Sequence, residues 1–77
     1  MVKTKEQDYL TRNIIAKVVS FIAEDQRITI EQAMALFFTS QLSKKIEDIE
    51  TGYYLESPAY IYEIFKEELG EVYVRLD

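Results

Sequence analysis

The sequence predicts a mostly α-helical fold, a small orthogonal bundle of three or four helices with a short β-like tail at the C-terminus. Apolar residues recur at three- and four-residue spacing along most of the chain. Two segments of the sequence, residues 29–32 and Ser57-Pro58, have patterns typical of a helix N-terminus. Only two glycines and one proline interrupt the 77 residues, which are enough for one core. We therefore expect residues 1–77 to form a single domain.

The first predicted helix covers residues 8–24. Five apolar residues form its buried stripe: Leu10, Ile14, Val18, Phe21 and Ile22. Polar and charged residues fall mainly between them and predict a solvated face. Residues 1–7 precede the periodic segment and are expected to be a flexible N-terminus.

The second predicted helix covers residues 30–38 and starts from a capping box, because Thr29 is followed three residues later by Gln32. Ala33 and Phe37 share one face with Leu36, whereas Met34 and Phe38 share another. A helix that is apolar over so much of its circumference is expected to lie at the centre of the bundle.

A third helix is predicted over residues 41–50, ending before Gly52. The polar pair Thr39 and Ser40 separates it from the second helix, although Ser and Thr are tolerated inside helices. One long helix from Ile30 is therefore the alternative.

The fourth helix is predicted to start at Ser57-Pro58, with Ser as N-cap and Pro at the first helical position. Ile61, Phe65 and Leu69 form its stripe, and Gly70 is expected to end it. Residues 71–77 alternate polar and apolar side chains, which favours an extended tail. Its pairing partner would be the run at residues 53–55, a second subunit or the core surface.

The residue types present exclude several kinds of active site. The chain has no Cys and no His, so it cannot by itself build a Ser-His-Asp triad, a thiol nucleophile or an ordinary zinc site. The acidic run Glu47, Asp48 and Glu50 lacks the ligand spacing of an EF-hand loop. We expect a protein that is not an enzyme and that needs no cofactor or metal.

The charge distribution argues against nucleic acid as a partner. The net charge of −5 divides unevenly, since residues 1–45 carry seven basic and five acidic side chains and residues 46–77 carry two and nine. An acidic half disfavours phosphates and anionic membranes. Residues 30–38 and 41–50 could form a helix-turn-helix, but a recognition helix with three acidic residues is unfavourable. Lacking a leader segment and a long apolar run, the chain is expected to be cytoplasmic.

The clearest candidate interaction surface is a group of tyrosines with acidic neighbours in the second half of the chain. Tyrosines are enriched at protein interfaces, and an acidic rim would suit a basic partner. The alternative is that two or three of the tyrosines cover a small core. The predicted interaction residues are Asp48, Glu50, Tyr53, Tyr54, Glu56 and Tyr60.

Three short motifs carry a resemblance to a known group of proteins. They are F-T-S at residues 38–40, E-T-G-Y-Y at 50–54 and S-P-A-Y at 57–60. Over about residues 14–68 the chain resembles a group of short bacterial proteins of unknown function with F-x-S, E-T-G-x-Y and S-P-x-Y elements. The resemblance implies a small helical protein, and some related short proteins are associated with toxin-antitoxin or mobile-element loci.

Together these observations predict a protein-binding module, an adaptor or antitoxin-like protein that uses its acidic, Tyr-bearing second half. A small transcriptional regulator and a non-catalytic subunit of an enzyme complex are the alternatives. A homodimer is also expected, because the apolar stripes and the tail exceed what one small core covers.

Overall fold

The computed structural model describes the backbone of residues 3–76 and the side chains of residues 3–70. Two short 3₁₀ helices lie between the third and fourth of its α-helices. The prediction of a mostly helical fold with three or four helices is confirmed for the described residues, which form four α-helices. The α-helices are α1 (Lys5–Gln26), α2 (Ile30–Phe38), α3 (Gln41–Glu47) and α4 (Pro58–Leu76), and the 3₁₀ helices are Ile49–Thr51 and Tyr53–Leu55.

Helix α1 begins three residues earlier than predicted, because Thr4 forms a capping box of its own. The Thr4 hydroxyl accepts a hydrogen bond from the Gln7 amide at 3.0 Å, and the Gln7 side chain accepts one from the Thr4 amide at 2.9 Å. Residues 5–7 are thus helical rather than part of a flexible N-terminus, and residues 1 and 2 lie outside the described residues. The helix ends at Gln26, and the next residue, Arg27, caps it in a left-handed conformation with φ of 58°.

Helices α2 and α3 are separate, so the alternative of one long helix is wrong. Thr29 caps α2 with both hydrogen bonds of the predicted capping box. Ser40 then leaves the helical conformation, with φ of −81° and ψ of 156°. Its hydroxyl accepts from the Ser43 amide at 3.3 Å and donates to the Phe37 carbonyl at 2.5 Å, so it both starts α3 and closes α2.

Helix α3 ends at Glu47, three residues before its predicted end. Asp48 is extended, and its carboxylate accepts a hydrogen bond from the Glu50 amide at 3.0 Å, which starts the first 3₁₀ helix. Gly52 separates the two 3₁₀ helices with φ of 74°, a conformation that costs glycine little. The β-favouring run at residues 53–55 is therefore helical and offers no strand edge.

Helix α4 starts where predicted, since the Ser57 hydroxyl accepts from the Tyr60 amide at 3.2 Å. The predicted end at Gly70 and the β-like tail over residues 71–77 are wrong: the helix continues through Gly70 to Leu76, and no strand occurs within residues 3–76. Gly70 does not adopt a positive φ. A lone strand needs a neighbour, and the described backbone provides none. Asp77 lies outside the described residues.

The core lies where α1 meets α2, α4 and the second 3₁₀ helix. Of the five residues in the predicted α1 stripe, Ile14, Val18 and Ile22 are fully buried. All four α-helices contribute to this cluster. Among the described side chains, helix α1 contributes more residues than any other helix and is therefore its central element. The buried hydrophobic residues are Ile14, Val18, Val19, Ile22, Ala33, Phe37, Leu42, Ile46, Ile61 and Phe65.

Helix α2 is not the central helix that its composition predicts. Ala33 and Phe37 are fully buried, as expected for its first face. The second face, which carries Ile30, Met34 and Phe38, is exposed. The reason is that α1 and α3 cover only one side of α2, so an apolar face remains in contact with solvent.

Candidate functional site: an apolar groove between α1 and α2

The six residues of the sequence-predicted surface all lie in the connection between α3 and α4 or at the start of α4, but they do not form one continuous tyrosine patch. Tyr53 is half-buried and packs against the core. Tyr54 is also half-buried, and its hydroxyl accepts a hydrogen bond from Gln7 Nε2 at 3.2 Å. Tyr60 is 51% exposed. Tyr53 therefore packs inward and Tyr54 is hydrogen-bonded to α1, so both contribute to the fold.

The three predicted acidic residues are exposed, and one of them has a structural role. Asp48 caps the first 3₁₀ helix, and the Thr51 hydroxyl donates to the Asp48 carbonyl at 2.8 Å. Glu50 and Glu56 are the carboxylates left at the surface of this connection. Substitutions that test this surface should therefore use Glu50 and Glu56 and leave Asp48 in place.

A tyrosine outside the predicted set, Tyr62, links α4 to the C-terminal end of α1. Its ring lies 5.7 Å from that of Phe21 and stacks on Phe65 at 6.4 Å between centroids. Its hydroxyl donates a hydrogen bond to Asp25. Asp25 lies in the last turn of α1, where a carboxylate is unfavourable against the helix dipole, so the donated hydrogen bond offsets that cost.

Tyr62 also forms the floor of a shallow acidic depression with a volume of about 440 Å³. Lys66 already lies over the Tyr62 ring, with its Nζ 5.0 Å from the centroid, and pairs with Glu63 at 2.9 Å. Two of the residues that line the depression, Tyr62 and Glu63, thus already contact a cation of the protein itself. Its lining residues are Phe21, Glu24, Asp25, Ala59, Tyr62 and Glu63.

The Tyr62 hydroxyl predicts a specific loss of stability at alkaline pH. Burial first, and then the hydrogen bond to Asp25 and the negative charges of Asp25 and Glu63, raise the pKa of Tyr62 above its usual range. Above a pH of about 10 the unfolded chain releases this proton while the folded chain retains it, so the free energy of unfolding falls as the pH rises. Below that pH the contribution is complete.

Urea unfolding between neutral pH and pH values above 10 measures this effect. In Tyr62→Phe the free energy of unfolding should fall less steeply with rising pH, because the titrating group is gone. In Tyr60→Phe, at an exposed position of the same helix, it should fall as it does in the parent. Equal slopes for the parent and Tyr62→Phe would show that Tyr62 ionises alike in both states.

Three of the exposed large hydrophobic residues lie together on α2. Ile30, Met34 and Phe38 are 49%, 43% and 46% exposed. Their spacing of four residues places them in one row along the helix. These three residues form what we call the α2 ridge.

A groove runs beside the α2 ridge and has a volume of about 390 Å³. Its other wall is the face of α1 that carries Ile15, Ala16 and Val19. The short side chain of Ala16 leaves room between its larger neighbours. Two charged residues also line the groove, Arg12 on α1 and Glu47 at the end of α3. The side chains thus form an apolar trough with one cation and one anion beside it.

The sequence contained part of the signal for this groove. The second apolar face of α2 is visible in the sequence, but the apolar circumference of the helix predicts that this face is covered by the bundle. The five-residue stripe of α1 does not include the α1 wall, although Ile15 and Val19 repeat at four residues beside Ile14 and Val18. Two adjacent apolar rows on one helix indicate that it serves more than one packing surface.

The described residues offer little else for chemistry. Among residues 3–70, no three acidic side chains converge as they would around a metal ion. No helix in the described part of the chain has both the length and the apolar character needed to cross a membrane.

Comparisons with protein-family models, with curated proteins and with solved structures found no match to this chain. The resemblance to short bacterial proteins consequently stays a prediction.

Proposed function

We propose that this chain is a non-enzymatic protein-binding module and that its docking site is the groove between α1 and α2. The observation that supports the proposal is the exposed α2 ridge of Ile30, Met34 and Phe38 beside an apolar trough. Contiguous exposed apolar surface on a small domain is characteristic of interaction sites, whereas isolated exposed hydrophobic residues need no explanation.

The occupant that fits the groove best is an amphipathic helix of a protein partner. The walls are two helices, and their apolar residues recur at three- and four-residue spacing, which matches the spacing of anchor residues on a docked helix. Only Arg12 and Glu47 add charge to the lining. A small polar ligand would need several convergent hydrogen-bonding groups to fix its orientation, and the lining favours apolar side chains.

The acidic surface predicted from the sequence is a second proposed contact region for the same function. Leu55 and Tyr60 are 68% and 51% exposed there, next to Glu56. This surface suits a basic partner through charge complementarity, which acts mainly on the rate of encounter. An adaptor or antitoxin-like role, as the resemblance implies, is compatible with either surface.

Site-specific photocrosslinking in living cells tests which surface is used. A photoreactive phenylalanine analogue would replace Met34 in one variant and Tyr60 in another, so that the two probes have the same chemistry at similar exposure. We expect a discrete protein adduct from position 34, because that side chain lies on the docking groove.

The pair of positions makes the outcomes distinct. An adduct from position 60 alone would transfer the function to the acidic surface and refute the groove as the docking site. Absence of a protein adduct from both positions, with folded protein confirmed by circular dichroism, would refute the proposal of a protein-binding module.

A further inference from the structure

We propose that the helix bound in the α1–α2 groove belongs to a second copy of this chain. Two copies would pair their α1–α2 faces about a two-fold axis, so that each α2 ridge packs along the groove of the other copy. This inference rests on the proposed function and names the partner at the same site.

The first argument is that one face carries both halves of the contact. The α2 ridge projects beside a trough whose opposite wall is α1. In a two-fold interface every contact is made twice, so a surface that pairs with itself must present both a projecting row and a depression that receives it. Ridges packing into grooves is also how helices associate in general.

The second argument concerns charge. Each copy carries a net charge of −5, so most pairs of faces would bring like charges together. The groove is an exception, because its lining holds one cation and one anion on different helices, Arg12 on α1 and Glu47 on α3. A two-fold pairing can place each Arg12 opposite Glu47 of the other copy. If the lining held charges of one sign only, like charges would lie opposite one another across the interface.

Arg12 is suited to such a contact. It already pairs with Asp8 through its Nε at 3.1 Å, and its side chain remains 80% exposed. A guanidinium has five N–H donors, so the contact to Asp8 leaves donors for a second carboxylate. The local pair also holds the side chain in place, which lowers the entropy lost when it binds.

The size of the α1–α2 face determines the affinity that we expect for the dimer. Three half-exposed side chains on α2 and a short stretch of α1 form a small interface, at the low end of the range for specific contacts. We therefore expect a reversible dimer that dissociates in the micromolar range and reaches full occupancy at high micromolar concentration.

Sedimentation equilibrium of the full chain from low to high micromolar concentration is the test. The parent should move from 9.1 kDa towards twice that mass. Met34→Glu places a carboxylate on each of the two apolar faces that meet in the dimer. The affinity of the dimer should fall by on the order of tenfold or more. Ala59→Glu adds the same charge at an exposed residue of α4 outside the groove and should dimerise as the parent does.

A charge exchange tests the two-fold pairing itself. Arg12→Glu and Glu47→Arg should each weaken the dimer, because each sets like charges opposite one another. The double variant should recover much of the parent's affinity. The losses should shrink as salt is raised, since exposed charges are screened. Circular dichroism of each variant confirms that the helices remain formed.

The outcomes separate this inference from the proposed function. A parent chain that stays at 9.1 kDa at high micromolar concentration would overturn self-docking. If the position-34 crosslink then joins a different protein, the binding module stands with another partner. Dimerisation that Met34→Glu leaves unchanged would also overturn the inference, because the copies would be meeting elsewhere.

Discussion

Replacing Phe37 by alanine is expected to lower the free energy of unfolding by about 3 to 5 kcal/mol. Phe37 is completely buried, and its ring contacts Phe65 at 6.1 Å and Phe38 at 5.4 Å between centroids. Because domains have stabilities of about 0.05 to 0.15 kcal/mol per residue, a loss of this size removes much of what a chain this short possesses.

The neighbouring residue provides a matched control. Phe38→Ala makes the same chemical change one position along α2, but Phe38 is 46% exposed. We expect it to cost less than about 1.5 kcal/mol, because little cavity forms at a solvated site. Urea unfolding at low protein concentration, where association contributes least, measures both. Equal losses for the two variants would show that the two faces of α2 are buried alike.

Replacing Glu68 by alanine is expected to cost about 0.5 to 2 kcal/mol, because the change removes the side-chain acceptor that caps the first amides of α3. The Glu68 carboxylate, on α4, accepts hydrogen bonds from the amides of Gln41 at 3.0 Å and Leu42 at 3.2 Å. These are the first two residues of α3, where a negative charge also complements the helix dipole. Glu68 thus caps a helix that lies far from it in sequence.

Two further variants isolate this role. Glu67→Ala removes an exposed carboxylate from the same turn and should change stability by less than about 0.5 kcal/mol. Glu68→Gln keeps an acceptor oxygen but loses the charge. Its free energy of unfolding should therefore lie between that of the parent and that of Glu68→Ala. Thermal and urea unfolding provide the comparison. If Glu67→Ala and Glu68→Ala lower the free energy of unfolding equally, the Glu68 carboxylate contributes nothing as a cap.

Much of the helical framework could be predicted because the signals are local. Thr29 with Gln32, and Ser57 with the Tyr60 amide, form hydrogen bonds across three residues, so the motif itself contains both partners. The same pattern occurs at Thr4 and Gln7, ahead of the apolar periodicity from which a later start of α1 is predicted. The buried residues of α1 and the first face of α2 also followed from periodicity alone.

The candidate site depended on contacts between distant residues. The sequence showed two apolar faces on α2 but could not show that α1 and α3 cover only one of them. It grouped the tyrosines by proximity along the chain, whereas the hydrogen bond from Gln7 to Tyr54 holds one of them half-buried.

The sequence by itself therefore determined the helices and their apolar faces, through hydrogen bonds and spacing within a few residues. The tertiary structure decided how far α4 extends, since no partner strand exists for its last residues within the described backbone. It also decided that Glu68 caps α3 and that the α2 ridge faces solvent. The physical reason is that burial and long-range capping depend on which elements meet, and that is settled only when the whole core packs.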